Sequence, residues 1–274
     1  MKKNMTLSAM ALLSALVIGG SAAATTVFAA EGDPTTDPAD TTAATKSGAT
    51  ADTPATETGD AYVTFTKSTK PTGPINPNHP TDDPNNPGTG EVGDLTLDAI
   101  PNVLNFGTQE ATSAEQTITL LAAGDTAAAN NPASQNKPTT SVTDGDTHQI
   151  YTQVTDMAAA KPTWKLSATL NAFSGSLKDA TINLSGAKSQ ALTGSGDTLA
   201  WTTTAAAGNE IPTVAGDITL TPGQAADIVA SSKATGTTQA VWDTKNVTLH
   251  VPAGTAVAGD YTATIDWTLA IVAE

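Results

Sequence analysis

An all-β fold is predicted for most of this chain, a β-sandwich built either as one unit or as two packed Greek-key subdomains behind a disordered, proline-rich lead. Three observations predict it. Runs of five to eight residues rich in Thr, Val, Ile and Leu recur from residue 93 onward, many alternating apolar and polar side chains. Patches such as Thr143-Asp-Gly-Asp146, Ser195-Gly-Asp197, Pro222-Gly223 and Ala258-Gly-Asp260 separate them as turns. Helical periodicity is thin. Period-two alternation places every second side chain on one face, the signature of a strand with one buried side.

Residues 1–29 read as an export signal: Lys2 and Lys3, a short apolar stretch from Leu7 to Gly20, and Val27-Phe28-Ala29 at the cleavage point. The apolar stretch is too short to span a bilayer, so no membrane span is expected in the mature protein. All 12 basic residues are lysines, against 27 acidic ones, and the formal net charge is −15. Loss of the two signal lysines makes the mature charge 10 − 27 = −17. An acidic chain without arginine is ill suited to nucleic acid or other polyanions, which are held by basic patches and the guanidinium fork. Cysteine is absent, so an exported domain must rest on its core alone. No apolar or sorting-type segment follows Leu269, so retention at a surface is expected to be non-covalent.

Residues 30–91 read as a disordered lead and proline-rich linker. Residues 30–60 hold Thr, Ala, Asp and Pro without apolar periodicity. Tyr62-Val-Thr-Phe-Thr66 is the first plausible strand. Pro71, Pro74, Pro77, Pro80, Pro84 and Pro87 then forbid a strand ladder and predict an extended, semi-rigid spacer. A β domain is expected over 92–274. Leu95, Leu97 and Ala99 alternate, and strands are predicted at Thr117–Leu121, Ile150–Val154, Trp164–Leu170, Ala180–Leu184, Leu199–Trp201, Asp217–Thr221, Val241–Trp242, Asn246–Val251 and Tyr261–Ile271. Asp125–Asn131 and Gly223–Ala230 could each form a helical turn or two.

Two of these strands carry a Trp-x-Leu pattern. Trp164, Leu166, Ala168 and Leu170 alternate in the first; Tyr261, Ala263, Ile265, Trp267 and Leu269 alternate in the second. The opening Gly93-Asp-Leu-Thr-Leu-Asp-Ala-Ile-Pro-Asn-Val-Leu-Asn-Phe-Gly107, then Tyr151-Thr-Gln-Val-Thr-Asp156, Ala180-Thr-Ile-Asn-Leu184, Asn246-Val-Thr-Leu-His-Val-Pro252 and Gly259-Asp-Tyr261, frame the pair in order. Over roughly residues 60–274 the chain resembles the WxL-domain surface proteins of Gram-positive bacteria. The resemblance implies an exported protein held non-covalently at the wall through peptidoglycan, acting with other surface proteins. One departure stands out: where that family often carries an Arg-Gly-type turn, this chain has Met157-Ala-Ala-Ala-Lys161, so no arginine role transfers.

The wall-binding or structural candidates are Trp164, Leu166, Trp267, Leu269 and Tyr261. An indole on a sheet face can stack on a sugar ring; flanked by period-two aliphatics it can equally fill a core. Both readings stand at this level, and the two tryptophans are expected close in space. Trp201, among Thr and Ala, is open to either surface or core. An adhesin or scaffold subunit binding a surface or host protein is the alternative, with a glycan-cleaving enzyme behind it. His79, His148 and His250 lack metal-ligand spacing, and no nucleophile elbow or zinc helix is present. Most carboxylates sit in turns, so no catalytic set, cofactor or metal is expected.

Overall fold

In a computed structural model of the chain, residues 59–122, 141–144, 147–206, 209–231 and 233–272 are described, with isolated positions 49, 50, 52, 55 and 139. The export signal, most of the lead and the Asp125–Asn131 turn lie outside the described residues. The chain divides into Met1–Tyr62 and Val63–Glu274, and all the strands belong to the second unit.

Fourteen strands are present among the described residues: β1 Leu95–Ala99, β2 Gln116–Thr119, β3 Val142–Asp144, β4 Thr147–Asp156, β5 Trp164–Leu170, β6 Thr181–Leu184, β7 Lys188–Thr193, β8 Ala200–Thr202, β9 Thr213–Val214, β10 Ile218–Leu220, β11 Ala225–Ser231, β12 Gly236–Asp243, β13 Val247–Val251 and β14 Ile265–Ile271. They form three antiparallel sheets. The largest runs β1-β4-β12-β7-β8, with β3 also on β4; the second runs β10-β6-β13-β2; the third, β14-β5-β11-β9, contains both Trp-x-Leu strands.

The all-β prediction holds, with three sheets around a main core and a second, smaller cluster of Ala99, Val142, Tyr151 and Val241 on the large sheet. The main core joins Leu97, Ile150, Val154, Ala240 and Trp242 of the large sheet to Ile182, Leu184, Val247, Leu249 and Leu220 of the second. The third contributes Trp164, Leu166, Leu170, Ile228 and Val229. Gly107, which ends the opening motif, shows why glycine stands there. Its φ is 74°, and a Cβ would lie 2.8 Å from Leu121 Cδ1.

Three local expectations are corrected. Residues 225–231 form strand β11, not a helical turn, because pairing with β5 on one side and β9 on the other outweighs the alanines' helix preference. Tyr62–Thr66 is not a strand. Tyr62, Val63 and Phe65 are 90%, 77% and 89% exposed, and an extended run without a partner gains nothing from strand geometry. The proline-rich stretch is not a free spacer either: from Gly73 to Glu91 it is strapped across the outer face of the large sheet.

The strap is held by glutamines. Gln153 of β4 faces Gln239 of β12, which faces Gln190 of β7, so three amides stand in one row across three strands. Gln153 Nε2 donates to the Gly73 carbonyl at 2.9 Å, Gln239 Nε2 to Ile75 at 2.6 Å and Gln190 Nε2 to Pro77 at 2.8 Å. Gln153 Oε1 in turn accepts from the Ile75 N–H at 2.9 Å, and Trp201 Nε1 donates to the Asn76 carbonyl at 2.8 Å. Prolines lack the N–H a sheet ladder needs, but their neighbours' carbonyls remain acceptors, and side-chain amides meet them. Farther along, the Tyr151 hydroxyl donates to Asp83 Oδ2 at 2.8 Å, and burial drives the phenol pKa far above its ordinary value.

With the strap in place, both faces of β4 and β12 are covered. Every residue from Thr237 to Trp242 is buried, polar and apolar alike. Replacement of Gln153 by Ala leaves the Ile75 N–H and the Gln239 amide without their partner. Urea titration should show a loss of roughly 2–4 kcal/mol, with new protease sensitivity between Gly73 and Glu91.

Candidate functional site

The two Trp-x-Leu strands are hydrogen-bonded neighbours. In the β5–β14 register Trp164 faces Ile271, Leu166 faces Leu269, Ala168 faces Trp267 and Leu170 faces Ile265. Facing residues of an antiparallel pair project to the same side, so both motifs share one sheet face. Small Ala168 stands opposite the Trp267 indole and leaves room for it. The two tryptophans are offset by four residues, roughly 13 Å along the strands, with the Leu166–Leu269 pair between them.

Their environments differ. Trp164 and Leu166 are wholly buried at 0% exposure, which removes both from any direct ligand contact. Trp267, Leu269 and Tyr261 are half-buried, packed against the core from its margin. The cause is position: β5 is an inner strand and β14 is an edge strand.

The end of β4 approaches the first motif. Asp156, at 1% exposure, accepts the Ala158 N–H at 2.9 Å through Oδ1. Its Oδ2 and the Trp164 Nε1–H lack conventional hydrogen bonds, yet the indole lies near enough to hold the carboxyl pKa down. Burial outweighs this and raises that pKa above the usual carboxylate range, with the backbone N–H of Ala158 as the main opposing influence. In the turn that departs from the resembled family, Lys161 adopts φ 45°, a left-handed conformation that suits glycine better.

Tyr261 does not belong to the last strand, which begins at Ile265. Its hydroxyl donates to the Val257 carbonyl at 2.8 Å and pairs with Ser176 Oγ at 3.1 Å, and its ring packs beside Gly175. It fastens the loop before β14 to the turn after β5.

Along the margin of β14 lies an open groove of about 530 Å³. Trp267, Thr268, Leu269 and Ile271 form one wall; Glu91, Leu95 and Leu97 form the other. The β1 wall is chemically closed along its strand edge. Glu91 Oε2 accepts the Leu97 N–H at 2.9 Å, the Thr89 N–H donates to the Asp98 carbonyl at 2.9 Å, and Thr89 Oγ1 donates to the Leu97 carbonyl. The groove thus mixes apolar side chains with polar backbone and Thr268 groups, and Glu91 brings one carboxylate to it. Such a surface suits a flat, uncharged ring with amide or hydroxyl groups better than an anion.

Sequence reasoning missed Glu91, Leu95 and Leu97 as groove residues. Alternation marked Leu95 and Leu97 as strand residues, but nothing in the chain signals that β1 lies opposite β14. Trp201 is half-buried against the strap, and Trp242 is fully buried in the core. His250 points away from Leu249 and Val251, as alternation predicts, and sits 3.4 Å from Glu115 Oε2. Asp266 lies on the face opposite the indole and accepts from Asn171 Nδ2 at 2.9 Å. The Thr143–Asp146 turn lies partly outside the described residues; among the described ones no cluster of His, Asp or Glu is arranged to hold a metal.

The described residues form an all-β domain in which the two like motifs lie on neighbouring strands of one sheet. A family model described as "WxL domain surface cell wall-binding" matches residues 51–272, and the chain belongs to that family. No curated protein and no solved structure matches the chain.

Two outcomes are expected from this geometry. Trp164→Ala should cost about 3–5 kcal/mol in denaturant unfolding and Trp267→Ala only about 1–2, because one indole fills the core and the other half-fills a groove. The second concerns Asp98, buried at 1% exposure within β1, where it accepts from Gln153 of the strap network. Burial raises its pKa, against hydrogen bonds from Thr155, Gln153 and Thr96, while the Glu91 charge adds to the rise. The folded chain therefore binds this proton more tightly than the unfolded chain. Its stabilising effect is complete below the unfolded pKa and is lost as pH rises through the folded one. Relative to Asp98→Asn, the wild-type chain should gain stability on acidification from neutrality, read as a difference between the two urea midpoints at each pH.

Proposed function

We propose that this chain is a secreted protein that attaches non-covalently to the bacterial wall by binding peptidoglycan through the groove along β14. One observation carries the reading: of the two motifs, only the second borders open space, where Trp267 and Leu269 line the groove while Trp164 and Leu166 lie in the core. Residues 1–29 supply the export signal in this reading. Trp267 offers a face to the sugar ring, and Leu269 and Ile271 receive its N-acetyl methyl. The Glu91 rim accepts a hydroxyl or amide proton. Trp164, Leu166 and Tyr261 act indirectly, by setting the position of β14. A mature net charge of 10 − 27 = −17 disfavours capture by anionic wall polymers, so the glycan–peptide mesh is the favoured ligand. The function is binding, without a catalytic step.

A second reading, attachment to a partner surface protein as an adhesin or scaffold subunit, is favoured by β14 lying at the edge of its sheet, where another chain can pair. Sedimentation with walls stripped of protein and teichoic acid separates the two. The glycan reading expects the wild-type chain to pellet with stripped walls, and Trp267→Ala to lower the bound fraction about tenfold while remaining folded. Retention on intact surfaces alone would assign the attachment to a protein partner.

A further inference from the structure

The free edge of β14 has a defined chemistry. The Val272 N–H donates to the Thr163 carbonyl at 2.8 Å, and the Asn171 N–H donates to the Thr264 carbonyl at 2.8 Å. With the unbroken β5–β14 register between those points, the even-numbered residues of β14 turn their backbone groups toward β5. Ile265, Trp267, Leu269 and Ile271 therefore turn their N–H and C=O groups outward, and no described strand pairs with them. Ile271 is also 64% exposed. The opposite wall of the groove shows how a protected edge is built, with Thr89 and Glu91 meeting the backbone of β1. Among the described residues nothing comparable covers β14. An open edge beside a groove lined by Trp267, Leu269 and Ile271 is a template for an added strand.

The same chain carries a segment of matching form. Tyr62-Val-Thr-Phe-Thr66 alternates as a strand does, placing Val63 and Phe65 on one side, yet it pairs with no described strand, and Tyr62, Val63 and Phe65 are exposed. Lys67 bridges Asp94 of its own chain at 3.3 Å, next to Leu95 of the groove wall. Even anchored there, the run leaves its own groove open. We propose that Tyr62–Thr66 of a second copy adds to β14 as a fifth strand of the third sheet, with Val63 and Phe65 entering the groove against Trp267, Leu269 and Ile271. Each copy bears both the run and the edge, so reciprocal exchange closes as a two-fold dimer and covers both exposed runs. The net negative charge of each copy opposes the approach, so the dimer strengthens as salt rises. The dimer does not depend on the wall reading; where both hold, a wall ligand and a second copy exclude one another from the groove.

The test is sedimentation velocity on the purified chain over a concentration series at low and high salt, with hydrogen exchange followed at the amides of Trp267, Leu269 and Ile271. A monomer–dimer equilibrium that tightens with salt is expected, with protection of those amides rising as dimer forms. Phe65→Asp, at a solvent-exposed position, and Ile271→Lys, on the acceptor edge, should each weaken association at least about tenfold. Mixing the two variants should restore part of it, because an intact run then meets an intact edge. A monomer at every concentration, a dimer indifferent to Phe65→Asp, or protection independent of concentration overturns the proposal.

Discussion

The row of glutamine amides on the outer face of the large sheet is the interaction on which the rest depends. A proline-rich strand cannot complete a backbone ladder, but it offers carbonyls, and Gly73, Ile75 and Pro77 present theirs at every second residue. Adjacent strands lie about 4.8 Å apart, and two extended residues cover a little more, so one glutamine per strand meets one carbonyl as the strap crosses obliquely. A glutamine both donates and accepts, which lets Gln153 hold Gly73, Ile75, Gln239 and Asp98 at once. The strap closes a face that would otherwise be wet and makes β4 and β12 interior strands. Buried Asp98 and Tyr151 are consequences of that closure, and both are satisfied by hydrogen bonds.

Covering the outer face leaves the other face free for the core, where the two Trp-x-Leu strands meet. Their likeness in sequence conceals a division of labour. The inner strand's tryptophan packs beside a buried carboxylate and anchors the sheet. The edge strand's tryptophan borders open space, and its backbone groups have no partner within the described chain. An edge position, more than residue type, decides which of two identical motifs is available to another molecule.

Much of the architecture was legible. Alternation located Trp164–Leu170, Val247–Val251 and the last strand, and it assigned His250 and Asp266 to the outward faces, because period two is a property of the backbone alone. The strands that escaped were the short Val142–Asp144 and Thr213–Val214, the polar Lys188–Thr193 and the alanine-rich Ala225–Ser231. Their neighbours hold them in the sheets; their own composition does not. The spacer reading of residues 71–91 failed for a related reason. Proline excludes ladder pairing, and composition carries no sign that side-chain amides elsewhere in the chain can replace it. Of the candidate site, both motifs were visible, but the opposing wall of Glu91, Leu95 and Leu97 was not.

The amino-acid sequence by itself determined the all-β class, the presence of two like motifs and an acidic, arginine-free composition unsuited to polyanions, since these follow from local periodicity and residue chemistry. Tertiary structure alone decided which tryptophan is buried, where the groove runs and that the proline-rich segment is a strap. Each of those depends on the register and order of strands distant in the chain, and register is set by the sum of packing over a whole sheet, which no short stretch of sequence contains.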